Sequence, residues 1–168
     1  MLACVDVDYR GASKAVAACV LFEDWTASDV VETIVAVNGD VAHYEPGQFY
    51  KRELPCLVSV LRRVPVSLEA IVVDGHVWLD GSARPGLGAR LYEALAERIA
   101  IVGVAKNKFG DGSGSAAITR GASSAPLYVS AVGLDPATAT ASIEQMAGPH
   151  RIPTILKHAD RGCRDYKL

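Results

Sequence analysis

The stretch LACVDVDYR (Leu2–Arg10) is an apolar, valine-containing run into which acids enter at Asp6 and Asp8. In an extended chain successive side chains point to opposite faces. Val5 and Val7 therefore share one face, and Asp6 and Asp8 the other. KAVAACVLFE (residues 14–23) follows the turn residues Gly11 to Ser13, and VVETIVAVNGD (30–40) carries the turn pair Asn38-Gly39. Three such runs joined by short turns predict an antiparallel meander.

Further along, the pattern changes. LEAIVVDGH (68–76) is a short continuous apolar run ending in Asp74-Gly75, as a buried parallel strand would read. GLGARLYEALAERIA (86–100) predicts a helix with Leu87, Leu91, Leu95 and Ile99 on one face, and IVGVAK (101–106) a second buried strand. Between the two halves, Leu54, Leu57, Val58 and Leu61 fall at helical spacing. Pro55 places a break or a start in that helix, because the residue before a proline avoids the helical region. AAITRG (116–121) and PLYVSAVG (126–133) predict a hairpin. A last helix is expected in 135–148, with Asp135 as its N-cap and Pro136 at its first position. The result is one α/β domain, residues 1–168: a mixed sheet of antiparallel meander plus parallel crossover strands, flanked by helices. That layout is compatible with a ribonuclease H-like architecture.

Composition narrows the partners. No apolar run approaches the roughly 20 residues that span a bilayer, and no secretory signal pattern opens the chain, so no membrane partner and a cytoplasmic location are expected. Cys4, Cys19, Cys56 and Cys163 form no CxxC pair and read as reduced thiols rather than zinc ligands. A net charge of -2 exerts no global pull on nucleic acid. Binding would rest on local patches such as Arg62-Arg63, Lys106-Lys108 and the tail KHADRGCRDYKL (157–168). The loop FGDGSGSA (109–116) lacks the Gly-Lys-Ser/Thr of a phosphate-binding loop.

Three acids stand where catalytic acids would have to stand. Asp6 lies inside the first strand, Glu53 at the helix break, and Asp74 at the end of a crossover strand, where open α/β sheets collect ligands. A desolvated carboxylate needs a partner or a metal. A hard cation such as Mg2+ takes oxygen ligands, and a pair of such ions roughly 4 Å apart clamps the attacking and leaving oxygens of a phosphodiester. Two of them also have a plainer reading, Asp74-Gly75 as a turn and Glu53 as a partner of Lys51 or Arg52, and Asp8 reads as solvent-facing and not as a ligand.

Taken in order, VDVDY (5–9), YEPGQFYKRELP (44–55), AIVVDGH (70–76) and IVGVAKNKF (101–109) resemble the motifs of the endonuclease V family, whose members nick DNA or RNA near inosine. The likeness runs over residues 2–160. It implies that Asp6, Glu53 and Asp74 bind Mg2+, with Mn2+ able to substitute. It also implies that Lys106 sits close to the scissile phosphate. RIPTILKHAD (151–160) is similar to the family segment that brings a fourth residue to the metal, Asp160 by ungapped count and His158 as the competing choice. Tyr44 matches the aromatic that wedges beside the damaged base, and Pro46, Gly47, Gly75 and His76 fall in the motifs that meet nucleic acid. The expected function is a metal-dependent endonuclease leaving 3'-hydroxyl and 5'-phosphate ends. The alternatives are a non-catalytic nucleic-acid-binding protein of the same fold and a metal phosphoesterase with another substrate. In DGHVWLDGSARPG (74–86) the chain departs from the family: Val77 replaces a second glycine, and Gly81, Ser82 and Ala83 replace a proline and a basic pair.

Overall fold

The computed structural model describes every residue except Tyr44. Among the described residues one seven-stranded sheet has the order β3-β2-β1-β4-β5-β7-β6. β1 (Leu2–Arg10), β2 (Lys14–Phe22) and β3 (Glu32–Asn38) make the antiparallel meander. β4 (Ala70–Asp74) and β5 (Ala100–Ala105) run parallel to β1 and to each other. β7 (Leu127–Val132) then pairs antiparallel with β5 and with the short β6 (Ala116–Ile118), the expected hairpin.

Alternation along the strands sorts the core into two layers. Cys4, Val72 and Val104 face α3 (Pro136–Gln145) and α4 (Thr154–Arg164), while Val5, Val73 and Ile101 face α1 (Tyr50–Leu61) and α2 (Leu87–Ala94). α3 starts as expected, with the Asp135 carboxylate accepting from the Thr138 N–H at 2.9 Å. All four cysteines are buried and free. No described helix is long and apolar enough to cross a membrane.

Three helical details differ from the sequence reading. Pro55 lies inside α1 rather than at its start, since the helix begins at Tyr50. The missing N–H leaves the carbonyl of Lys51 without its usual donor, but Lys51 is exposed, so water can serve it. Burial of Cys56, Leu57, Val60 and Leu61 holds the helix through the defect. α2 stops at Ala94, a turn earlier than its apolar spacing suggests. Ala96 and Glu97 adopt left-handed φ of 56° and 57°, and their N–H groups donate back to Glu93 and Tyr92, closing the helix as glycine usually does. α4 is a helix that the sequence reading did not include, its charged residues having been read as a patch. Its buried positions, Ile155, Ala159 and Cys163, form a narrow stripe in a polar sequence.

Arginines anchor α4. Arg10 of β1 donates to the carbonyls of Cys163 and Arg164 at its end. Ahead of it, the buried Arg120 donates to the carbonyls of Glu144, Met146, His150 and Arg151. Arg151 in turn donates to the carbonyls of Lys106 and Pro126.

Candidate active site at the carboxyl ends of the strands

β1 and β4 are parallel neighbours, with Val5 beside Val73, so Asp6 and Asp74 leave the sheet side by side. Asp74 is followed by Gly75 at a φ of 151°, and the turn passes close over β5. A Cβ on Gly103 would sit 2.5 Å from the Gly75 carbonyl, so only glycine permits that approach. Lys106 follows the end of β5 in alternation with Val102 and Val104, and its Nζ donates to Asp74 Oδ2 at 2.5 Å.

Asp160 arrives from α4. It lines one cavity of about 150 Å³ together with Asp6, Asp74 and Lys106. His158 is exposed and absent from that lining, since two residues along a helix turn a side chain by about 200°. Asp160 also pairs with Arg164 at 2.7 Å, one helical turn on.

Glu53 comes from the opposite layer. Arg52 lies over the Tyr9 ring, 4.3 Å from its centre, and Phe49 meets the same ring edge-on at 6.0 Å. These contacts fix the first turn of α1 against β1 and direct Glu53 inward, to 6% exposure. Neither plainer partner takes it: Lys51 pairs with Glu45 at 3.2 Å, and Arg52 is engaged with Tyr9. Glu53 has no ion pair among the described residues.

The electrostatics record crowded negative charge. Burial, then the charges of Asp6 and Asp74, pushes the Glu53 carboxyl up to about 8. Burial, then the charge of Asp74, raises Asp6 to about 6, against the opposing hydrogen bond from the Val7 N–H. Burial alone would lower Lys106, but its hydrogen bond to Asp74 and the surrounding acids outweigh this and raise it. The donor chemistry suits a hard divalent cation: carboxylate oxygens throughout, with negative charge in excess. As the side chains stand, no group of three His, Cys, Asp or Glu among the described residues closes around an ion. The Lys106 ammonium occupies Asp74 instead.

A second cavity, of about 610 Å³, opens on the α1 and α2 side. Glu53, Asp74, Gly75, His76 and Gly47 line it, whereas Pro46 stays exposed in the preceding turn. His76 donates from Nε2 to the Asn107 carbonyl at 3.0 Å and meets the Phe109 ring edge-on. Tyr44, the expected wedge, lies outside the described residues. The altered segment closes on itself: the Asp80 carboxylate accepts from Ser82 and Arg84 and forms an ion pair with Arg84 at 2.9 Å. Phe49, Arg90 and Phe109 also line this cavity, and none was singled out from the sequence. Two of them are aromatics that remain exposed beside a motif, a signal that only the folded surface supplies.

A sheet of this order, with acids on the adjoining β1 and β4 and a lysine after the neighbouring β5, is ribonuclease H-like. The family model for endonuclease V matches residues 1–161, and the chain belongs to that family, a nuclease family. Endonuclease V of Streptomyces avermitilis is 31% identical over 185 residues, spanning 95% of this chain and 77% of the relative. Its crystal structure superposes with a TM-score of 0.78, covering 98% of this chain and 79% of that one at 28% identity. Endonuclease V of Ciona intestinalis, solved in complex with a 24mer DNA containing an inosine followed by a ribo-adenosine, has a TM-score of 0.79 at 17% identity. That match covers 98% of this chain and 84% of the other and shows the shared fold.

Proposed function

We propose that this chain is a Mg2+-dependent endonuclease that hydrolyses DNA or RNA beside a deaminated base, inosine foremost, with Mn2+ able to substitute. The observation that carries the reading is the meeting of Asp6, Asp74, Asp160 and Lys106 around one cavity, with the buried Glu53 electrostatically coupled to the first two. The inosine-containing DNA held by the Ciona relative supports the choice of base.

In this mechanism Asp6, Glu53, Asp74 and Asp160 hold the metal, which supplies Lewis acidity and a more acidic water when bound. Lys106, whose ammonium donates to Asp74, would with the metal in place neutralise charge on the phosphate oxygens, the electrostatic contribution that usually dominates such reactions. The larger cavity takes the extruded base. Its apolar and aromatic walls replace part of the stacking lost on extrusion, and Tyr44 fills the gap left in the strand.

The test uses an inosine-containing strand, an unmodified strand and structured substrates, each with Mg2+ and with EDTA. The expected result is cutting of the inosine strand in Mg2+, none in EDTA, and 5'-phosphate on the product. Cutting that ignores EDTA would overturn the metal reading. Salt-sensitive binding that survives Asp74→Asn, with no cutting of any strand, would instead establish a non-catalytic binding protein.

A further inference from the structure

Two guanidinium groups line the 610 Å³ cavity, and they differ in what they already hold. Arg84 is committed, paired with Asp80 at 2.9 Å and lying 5.3 Å from the centre of the Phe109 ring. Arg90 projects from α2 with its guanidinium carbon 4.7 Å from the centre of the Tyr50 ring. That aromatic face holds it in place without using its N–H groups. Its Nε is buried without a partner, and among the described residues the Arg90 side chain makes no hydrogen bond or ion pair. Glu53 and Asp74 line the same cavity, yet neither is paired with it. An arginine carries five donors in a rigid fork and no acceptor, so a half-buried arginine in this condition selects a ligand that brings acceptors.

The cavity indicates which acceptors. Phe49, Tyr50, Leu79, Leu87 and Phe109 form its walls, surfaces suited to a flat base. A phosphate there would face Glu53 and Asp74, and the cation placed for phosphate is Lys106, which lines the other cavity. Resting on the nuclease reading above, we infer that Arg90 is a specificity-determining residue whose guanidinium donates to the O6 and N7 edge of a 6-oxopurine in this cavity. Hypoxanthine and guanine present those two acceptors side by side. Adenine presents N7 beside an amino donor, and donor then meets donor. Arg90 thereby separates the deaminated base from its parent at the atom that deamination changes.

The experiment measures binding in EDTA, so that it does not depend on cutting. Labelled single strands carrying one central inosine, adenosine or abasic site are titrated with the wild type, Arg90→Met and Arg90→Lys. The wild type is expected to prefer the inosine strand over the adenosine strand by about ten- to a hundredfold. Arg90→Met is expected to bring that ratio close to one and leave abasic binding unchanged, with Arg90→Lys in between. Should the methionine variant not fold, Arg90→Lys decides alone, because a point charge without the fork must still lower the ratio. A wild type without preference, or a preference that survives both variants, would overturn the inference. So would an equal loss on all three strands with a salt slope reduced by about one, the mark of a phosphate contact. A chain that discriminates in EDTA but cuts nothing in Mg2+ would sink the nuclease reading and leave Arg90 its role.

Discussion

Two cavities meet at Asp74, and they are built from different materials. The one beneath α4 is small and rich in charge, with Lys106 answering Asp74 and Arg164 answering Asp160 beside Asp6, which has no ion pair among the described residues. The one between α1 and α2 is four times larger by volume, about 610 against about 150 Å³, and mostly apolar and aromatic. Its cations rest on rings instead of pairing with the acids below. The first suits bond breaking, which needs concentrated charge of fixed geometry. The second suits recognition, which needs a shaped surface with few committed donors.

If that division holds, variants on one side should leave the other intact. Asp160→Asn touches only the small cavity. Its cutting rate should fall on the order of 100- to 1000-fold, while the preference for an inosine strand in binding persists. Loss of both together would break the comparison. Single-turnover cutting and anisotropy on the same preparation decide it.

Next in size is a pH effect seated on Glu53. Its folded value of about 8 lies above the ordinary 4.5, and that of Asp6, about 6, lies above 3.8. Both groups favour the folded state when protonated. Metal-free stability is therefore full below about pH 4 and is lost as pH rises through about 6 and then about 8. Glu53→Gln should remove the upper part of that loss. At pH 9 the variant should be more stable than the wild type by about 2–4 kcal/mol in urea unfolding. Mg2+ requires the charged carboxylates, so it should raise the wild-type Tm more at pH 8 than at pH 6. A flat pH profile would remove Glu53 from the site.

Arg120→Met sharpens the contrast from a distance. It strips donors from the carbonyls that precede α4 and should cost about 2–3 kcal/mol of stability. Through Asp160 it should slow cutting more than it weakens base preference. The smallest effect is Ala96→Gly. Relief of the left-handed alanine that closes α2 should add about 0.5–1 kcal/mol and change neither cavity's behaviour.

Much of this arrangement was legible before folding. The meander, the acid-ended strand and the Asp135 cap follow from rules that act over two to four residues; Asp6 and Asp74 stood out as charges in apolar strands, and Glu53 by its place at the helix break. What escaped depended on longer reach. The end of α2 carries no glycine, so nothing local marked the stop at Ala94. α4 lies in a stretch read as a charged tail, although Ile155, Ala159 and Cys163 recur every four residues along one face. Arg90 reads in sequence as a solvated helix position, and only the approach of Tyr50 gives it a wall to lie on. Asp160 and His158 were separable only once α4 gave them different directions.

The arginine fan ahead of α4 has a consequence for how this chain tolerates change. Arg120 and Arg151 grip main-chain oxygens, which every residue type offers. The exposed Pro149 and His150 can therefore be exchanged without disturbing the fourth acid. An insertion or deletion there is different. If α4 absorbs it, each residue turns Asp160 by about 100° around the helix, away from Asp6 and Asp74. What this segment hands on to the site is its length, and its spelling is free to drift.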